Sequence, residues 1–134
     1  MKYLLFLLGF LFAAPAFSQQ AIPVLTGTWK VVSKIETTTT SGTITDVDKE
    51  IYKAGEKTYL LSSKTVTISQ GFGKHKETLP LRIQGKQLFI GKSEKNKDPY
   101  IVSMKGKFLI LTKTERKTKK GKNQVETEVV TLTK

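Results

Sequence analysis

Few side chains in this 134-residue chain are equipped for chemistry. There is one histidine, His75, in the turn "GFGKHKE", and no cysteine. Histidine is the side chain that exchanges protons near neutral pH, and cysteine is the common thiolate nucleophile. A single histidine between Lys74 and Lys76 reads as a solvated surface group, and the nucleophile is missing altogether. Asp46, Asp48 and Glu50 in "TDVDKE" form the one acidic cluster. It lacks the glycine and terminal glutamate of a calcium loop, so it reads as a solvated strand entry. Neither a Gly-x-Ser-x-Gly elbow nor a phosphate-cradling glycine loop occurs. The sequence therefore predicts a protein that is not an enzyme, with no catalytic residues, no metal site and no cofactor.

The remaining chemistry is charge. The chain carries 23 Lys and Arg against 11 Asp and Glu, a formal net charge of +12. Lys113, Arg116, Lys117, Lys119, Lys120 and Lys122 crowd one short stretch, opposed locally by Glu115. Such a concentration raises the local potential and attracts polyanions, here an anionic envelope polymer such as lipopolysaccharide. Lysine-rich tips also keep β-proteins soluble and discourage edge pairing, which is the plainer account of the same residues. Aromatic residues are not interleaved with these lysines, so no specific nucleic-acid partner is expected.

The elements that must position these groups begin behind a leader. Residues 1–20, MKYLLFLLGFLFAAPAFSQQ, combine Lys2, an apolar run from Tyr3 to Ala14, and the small-residue site Ala16-Phe17-Ser18. That is the pattern of an export signal cut after residue 18. The run is too short for a bilayer core of about 30 Å, which takes about 20 apolar residues, and Pro15 interrupts it. The expected organisation is a signal peptide over 1–18 and one domain over 19–134. The product would be periplasmic or secreted, without a transmembrane segment. With no cysteine it can carry neither an acyl anchor at the cut nor disulfides, so its stability rests on burial and backbone hydrogen bonds.

From Gly27 onward, short β-rich runs end repeatedly in Gly, Asn or Lys clusters, and no helical periodicity appears. Strict alternation in "TWKVVSKIE" would place Trp29, Val31, Ser33 and Ile35 on one face. "TTTTSGTITDVD" is either a polar loop or the far end of a long hairpin. Hairpin turns are expected at Gly55, Gly85 and Gly106, and Pro80 should sit at a bulge or a poorly paired edge, since it has no N–H to donate. Leu88 to Ile90 and Phe108 to Leu111 are apolar on both faces. That suits a strand pinched inside a small barrel or covered by the N-terminal segment, or else an exposed patch used for association. Eight or nine strands joined by hairpin loops predict an all-β, antiparallel up-and-down meander. Closure into a small barrel of about eight strands would protect its edges.

Gly27-x-Trp29 at the head of the first strand, followed by this meander behind an export signal, resembles the lipocalin pattern. More closely it resembles the short lipocalin-like domains of exported bacterial proteins, with "IYKAGEKTYLL" and "LPLRIQGKQLFI" as loosely matching later segments. The resemblance implies a closed β-barrel that binds or transports a small hydrophobic ligand. It also implies a plug at the closed end made of Gly27, Trp29 and a cation, with Arg116 as the candidate and Lys134 as the alternative. A barrel of about eight strands either fills with its own side chains or holds one small ligand. If it holds one, Tyr52, Tyr59, Arg82, Phe89, Tyr100 and Phe108 are the candidate lining and gripping residues. If it is filled, the protein is instead a basic interaction module of the envelope that uses Lys113, Lys117, Lys119, Lys120 and Lys122, or binds a protein partner.

Overall fold

The structure is a computed structural model that describes residues 25–91 and 98–134. The expected leader over 1–18 lies outside the described residues. Among the described residues there are nine strands, β1 (Gly27–Thr40), β2 (Thr43–Ile51), β3 (Thr58–Leu61), β4 (Thr65–Gln70), β5 (His75–Gln84), β6 (Gln87–Ile90), β7 (Tyr100–Lys105), β8 (Phe108–Lys119) and β9 (Lys122–Thr133). All pairings are antiparallel, and no helix occurs among the described residues. Strands β3 to β9 run in sequence order, and β1 closes the ring by pairing with β3 on one side and β9 on the other. The result is a closed eight-stranded barrel with β2 as a ninth strand outside the ring. Closure removes the exposed edges that an open meander would leave.

Strand β1 is long enough to serve two storeys. Its first residues, Gly27 to Lys30, pair with Leu61 to Thr58 of β3. From Ser33 to Thr40 the same edge pairs with β2, while the other edge stays with β9 as far as Gln124. The lower storey is the closed ring. The upper storey is a four-stranded sheet, β2-β1-β9-β8, made from the long hairpins β1–β2 and β8–β9. "TTTTSGTITDVD" is thus the far end of a hairpin. Ser41-Gly42 and Lys120-Gly121 turn these two hairpins with positive φ at both central positions (50° and 81°, 51° and 74°). That is the type I′ geometry, whose twist matches the flanking strands, and glycine at the second position adopts it without a Cβ clash. The two tips are tied together by Ser41 N–H donating to the Asn123 carbonyl.

The inner face of the lower storey is apolar. Trp29, Val31, Tyr59, Leu61, Val66, Leu88, Leu109, Leu111, Val130 and Leu132 alternate with exposed or half-buried neighbours and pack into one buried core. The two strands that are apolar on both faces obey the same alternation. Leu88, Ile90, Leu109 and Leu111 point in, while Phe89, Phe108 and Ile110 are half-buried on the outside. Arg82, directly opposite Phe89 on β5, covers its ring at 4.4 Å, and Lys107 covers Phe108 at 5.5 Å. Long cationic side chains shield apolar surface with their stems while their heads stay in water. Pro80 lies opposite Thr65, the last pair of the β4–β5 ladder, just before β5 hands over to β6 at Leu81. Its missing N–H is therefore placed where the ladder ends.

The strict alternation expected in β1 fails at one point. The register with β9 shifts between Val31 and Ser33, leaving Val32 as an extra residue in a β-bulge. Val31 faces the core, but beyond the bulge Lys34 pairs with the inward Val130, and Glu36 pairs with Glu128. Ser33 and Ile35, expected beside Trp29, therefore lie on the outer face. Lys34 and Glu36 take the inner one.

Candidate binding mouth

That change of phase makes the upper storey polar on its inner face. Cross-strand partners share a face, so Lys34, Glu36 and Thr38 of β1 lie in rows with Glu50, Asp48 and Asp46 of β2. On the other side they lie in rows with Val130, Glu128 and Glu126 of β9. Leu111, Lys113 and Glu115 of β8 complete the rows, and Lys117 follows on the same face opposite Gln124. The sheet curls, because Asp46 and Asp48 from one outer strand and Lys113 and Glu115 from the other line a single hollow of about 290 Å³. Glu36, Glu126 and Glu128 line it as well. The barrel thus opens at this end into a trough with six carboxylates and one lysine on its wall, in a chain whose net charge is +12.

Beside the trough, ammonium, carboxylate and phenol groups pair with one another. Lys34 bonds Glu36 at 3.0 Å and approaches Glu128 at 4.0 Å. Tyr100 donates its hydroxyl to Glu128 at 3.0 Å, and Lys113 sits 5.5 Å from the Tyr100 ring centre. Tyr52 donates to Glu50, and Lys57 lies 5.2 Å from the Tyr52 ring. Among the described residues, Lys57 is the one charged side chain that is buried. Burial lowers its pKa, and the nearby positive charge of Lys34 lowers it further. Burial would also lower Lys34, but its bond to Glu36 and the field of Glu128 outweigh that effect and raise it. All three tyrosines hold their protons more tightly than usual, chiefly through burial. Glu50 adds to this at Tyr52, Glu128 adds to it at Tyr100, and Tyr59 is pushed up to about 12.

Higher on the wall, Glu115 accepts from Lys113 at 3.2 Å and Lys117 at 3.6 Å, and Glu126 pairs with Lys117 at 3.3 Å. The Lys113 bond holds the Glu115 carboxyl below its usual pKa. Asp46 and Asp48 enter no ion pair among the described residues. No group of three or more His, Asp or Glu side chains among the described residues is placed to hold a metal ion. His75 is exposed at the start of β5, in another part of the fold.

The six residues singled out as ligand-binding do not converge. Tyr100 bonds Glu128 on the trough wall, Tyr52 bonds Glu50 beside it, and Tyr59 is buried in the core. Arg82, Phe89 and Phe108 are on the outer wall, occupied with the stacking just described. The acidic pair Asp46 and Asp48 stood out in the sequence, but its common face with Glu36 and Glu128 was hidden because it depends on the bulge at Val32 and on the β1–β2 and β1–β9 registers.

The opposite end is closed. Trp29 is 3% exposed, and its Nε1–H donates to the Leu25 carbonyl at 2.9 Å. The cation over its ring is Lys134, with Nζ 5.0 Å from the ring centre. Arg116 is not part of this plug. It lies exposed on the upper part of β8, opposite Val125, at the far end of the molecule from Trp29. Gly27 takes a φ of 124°, and a Cβ there would lie 3.7 Å from the Lys134 ammonium. The basic tip is also partly neutralised. Lys113 and Lys117 belong to the carboxylate pairs of the mouth, while Lys119, Lys120 and Lys122 stay exposed and outside any ion pair among the described residues.

The architecture, a closed antiparallel barrel with a tryptophan plug at one end and an opening at the other, is compatible with a lipocalin-like barrel. No protein-family model, curated protein or solved structure matches the chain. No helix among the described residues is long and apolar enough to cross a membrane.

Proposed function

We propose that this is an exported, non-enzymatic, lipocalin-like carrier that binds a small amphiphile at the open mouth of its barrel. The observation that carries the reading is the asymmetry of the two ends. Trp29, Leu25 and Lys134 seal one of them, while the other opens into a hollow of about 290 Å³ lined by carboxylates, threonines and Lys113, with Tyr100 bonded to one of its wall residues, Glu128. A ligand site typically combines apolar or aromatic surface with a few convergent polar groups. The core below is packed with the protein's own side chains, so a ligand's apolar part reaches no deeper than Tyr100, whose hydroxyl bonds Glu128 on the hollow's wall. Its polar part faces Asp46 and Asp48, the lining carboxylates without an ion-pair partner among the described residues, which favours a cationic head group over an anionic one.

Native mass spectrometry of the protein purified from its own host tests this directly, followed by titration with dodecylamine, dodecanoate and a retinoid. The reading expects a retained small molecule or uptake of the amine in preference to the acid. Asp46→Asn with Asp48→Asn should weaken amine binding about fivefold, the scale of two exposed ion pairs. Bare protein in the spectrum, together with no uptake of any of the three probes, would refute it.

The tip supports a second reading, in which exposed Arg116, Lys119, Lys120 and Lys122 attract an anionic envelope polymer. Heparin retention that disappears near physiological salt, and is unchanged when these four become serine, would remove it.

A further inference from the structure

The upper storey ends in two unpaired strand edges of opposite charge. Among the described residues, no strand pairs with the outer edge of β2 over Thr43–Ile51, or with the outer edge of β8 beyond Thr112. An unpaired edge presents a row of backbone donors and acceptors that templates another strand. Proteins usually blunt such edges with short length, proline or lysine. Here β2 offers nine consecutive strand residues without proline, and its lysine, Lys49, is outnumbered by Asp46, Asp48 and Glu50. It also exposes Ile44 (64%), Val47 (57%) and Ile51 (71%), a level of apolar exposure reached elsewhere by few residues among those described. The β8 edge, Lys113 to Lys119, carries Lys113, Arg116, Lys117 and Lys119 against Glu115.

We infer that the β2 edge of one copy pairs with the Lys113–Lys119 edge of a second copy, continuing the four-stranded sheet across the contact. Charge selects this combination. Two β2 edges would oppose carboxylates, and two β8 edges would oppose lysines, and like charges directly opposite one another disfavour a strand pair. The strand directions also fit. In the order β2-β1-β9-β8 the strands alternate, so a copy added in the same sense brings β8 antiparallel to β2. A register with Asp46 facing Lys117 and Glu50 facing Lys113 gives two opposite-charge pairs on the inner face. Glu115, opposite Asp48 in that register, is already flanked by Lys113 and Lys117. On the outer face Lys49 then meets Thr114, and Val47 meets the stem of Arg116. The contact is heterologous, so each copy retains one lip of each kind and association continues until a ring closes or a filament forms. It does not depend on what the mouth binds.

Sedimentation velocity on the protein as its host processes it should show concentration-dependent association at about 10 mM salt that fades near 0.15 M, as screening requires. Charge reversal then tests the pairing. Asp46→Lys with Asp48→Lys, and separately Lys113→Glu with Lys117→Glu, should each leave a monomer. Mixing the two variants should restore association, because the reversed β2 of one meets the reversed β8 of the other. A structural defect in either variant would not be rescued by mixing. The absence of cysteine allows a second measurement that leaves Asp46, Asp48, Lys113 and Lys117 intact. Copies carrying Lys49→Cys and copies carrying Thr114→Cys should form the mixed disulfide in preference to either homodisulfide. A wild-type protein that stays monomeric at low salt, association unaffected by both reversals, or homodisulfides that outnumber the mixed one would each overturn the proposal.

Discussion

Replacing Trp29 with alanine tests how the barrel is closed. The indole is 3% exposed and belongs to the main core cluster with Val31, Tyr59 and Leu132. Burying roughly 200 Å² of aromatic surface at about 25 cal/mol per Å² gives about 5 kcal/mol, of which alanine retains a small share. Mutational series for large aromatics agree, at about 3–5 kcal/mol for truncation to alanine. The indole also satisfies the Leu25 carbonyl, and a lost buried hydrogen bond costs about 1 kcal/mol. Phenylalanine would keep most of the ring volume and lose that bond, so Trp29→Phe should cost about 1–2 kcal/mol. Because Trp29 is the sole tryptophan, urea unfolding must be followed by far-UV circular dichroism, with the slope of the transition checked for constancy. An alanine variant within about 1 kcal/mol of wild type would show that the ring is not a plug, since a buried aromatic cannot be removed so cheaply. A phenylalanine variant as damaged as the alanine one would show that the indole N–H, and not the packing, dominates.

Three further outcomes are expected. Tyr52, Tyr59 and Tyr100 are all held protonated by the fold, with Tyr59 near 12. Unfolded tyrosines ionise near pH 10, so stability is whole below that pH and falls as pH rises towards 12. In protein cut after residue 18, which lacks Tyr3, phenolate absorbance should stay silent at about pH 10 and then appear together with loss of the β-sheet signal; a simple titration centred on about 10 in that folded protein would contradict the burial. Tyr100→Phe removes a bond to the Glu128 carboxylate and should cost about 1.5 kcal/mol by urea unfolding; a cost below about 0.3 kcal/mol would mean the bond contributes nothing. Gly121→Val places a β-branched residue at a φ of 74° and should lower stability by about 1–2 kcal/mol, whereas Lys120→Asn, which restores an Asn-Gly turn, should leave stability equal or higher; the opposite ranking would reject the type I′ assignment.

The barrel was legible because its signals are local. Alternation at Leu109 and Leu111, at Val130 and Leu132, and at Leu88 and Ile90 marks inward residues two apart. The pairs Gly85-Lys86 and Gly106-Lys107 mark two-residue hairpins directly in the sequence. The mouth was not legible, for two physical reasons. Its residues come from β1, β2, β8 and β9, and the β1–β9 pairing joins segments about a hundred residues apart, which no local pattern specifies. The face on which Lys34 and Glu36 lie is set by one unpaired residue, Val32, and a slip of one residue exchanges the two faces of everything beyond it. Arg82, Phe89 and Phe108 misled for the complementary reason. An aromatic residue beside a cation reads equally well as a ligand grip or as an outer-wall stack, and the pairing of Arg82 opposite Phe89 selects the stack.

The division of charge follows from the same bulge. Outside the mouth the protein is overwhelmingly basic, whereas six of its eleven carboxylates line one hollow. Exposed lysines on the outer wall have a sufficient reason in solubility and in shielding Phe89- and Phe108-like surfaces. The carboxylates have no such reason. Concentrating negative charge within one trough costs self-repulsion, which Lys34, Lys113 and Lys117 only partly offset, and leaves Asp46 and Asp48 without ion-pair partners among the described residues. A fold that needed the upper storey only as a cover for its core would gain stability by exchanging those two aspartates for threonine, the residue that fills much of the rest of β1 and β2. Asp46→Thr with Asp48→Thr therefore separates structure from function. If the pair serves binding or assembly, the double variant should be at least as stable as wild type while losing amine uptake or low-salt association. A variant that is clearly less stable would assign the two aspartates to the fold instead.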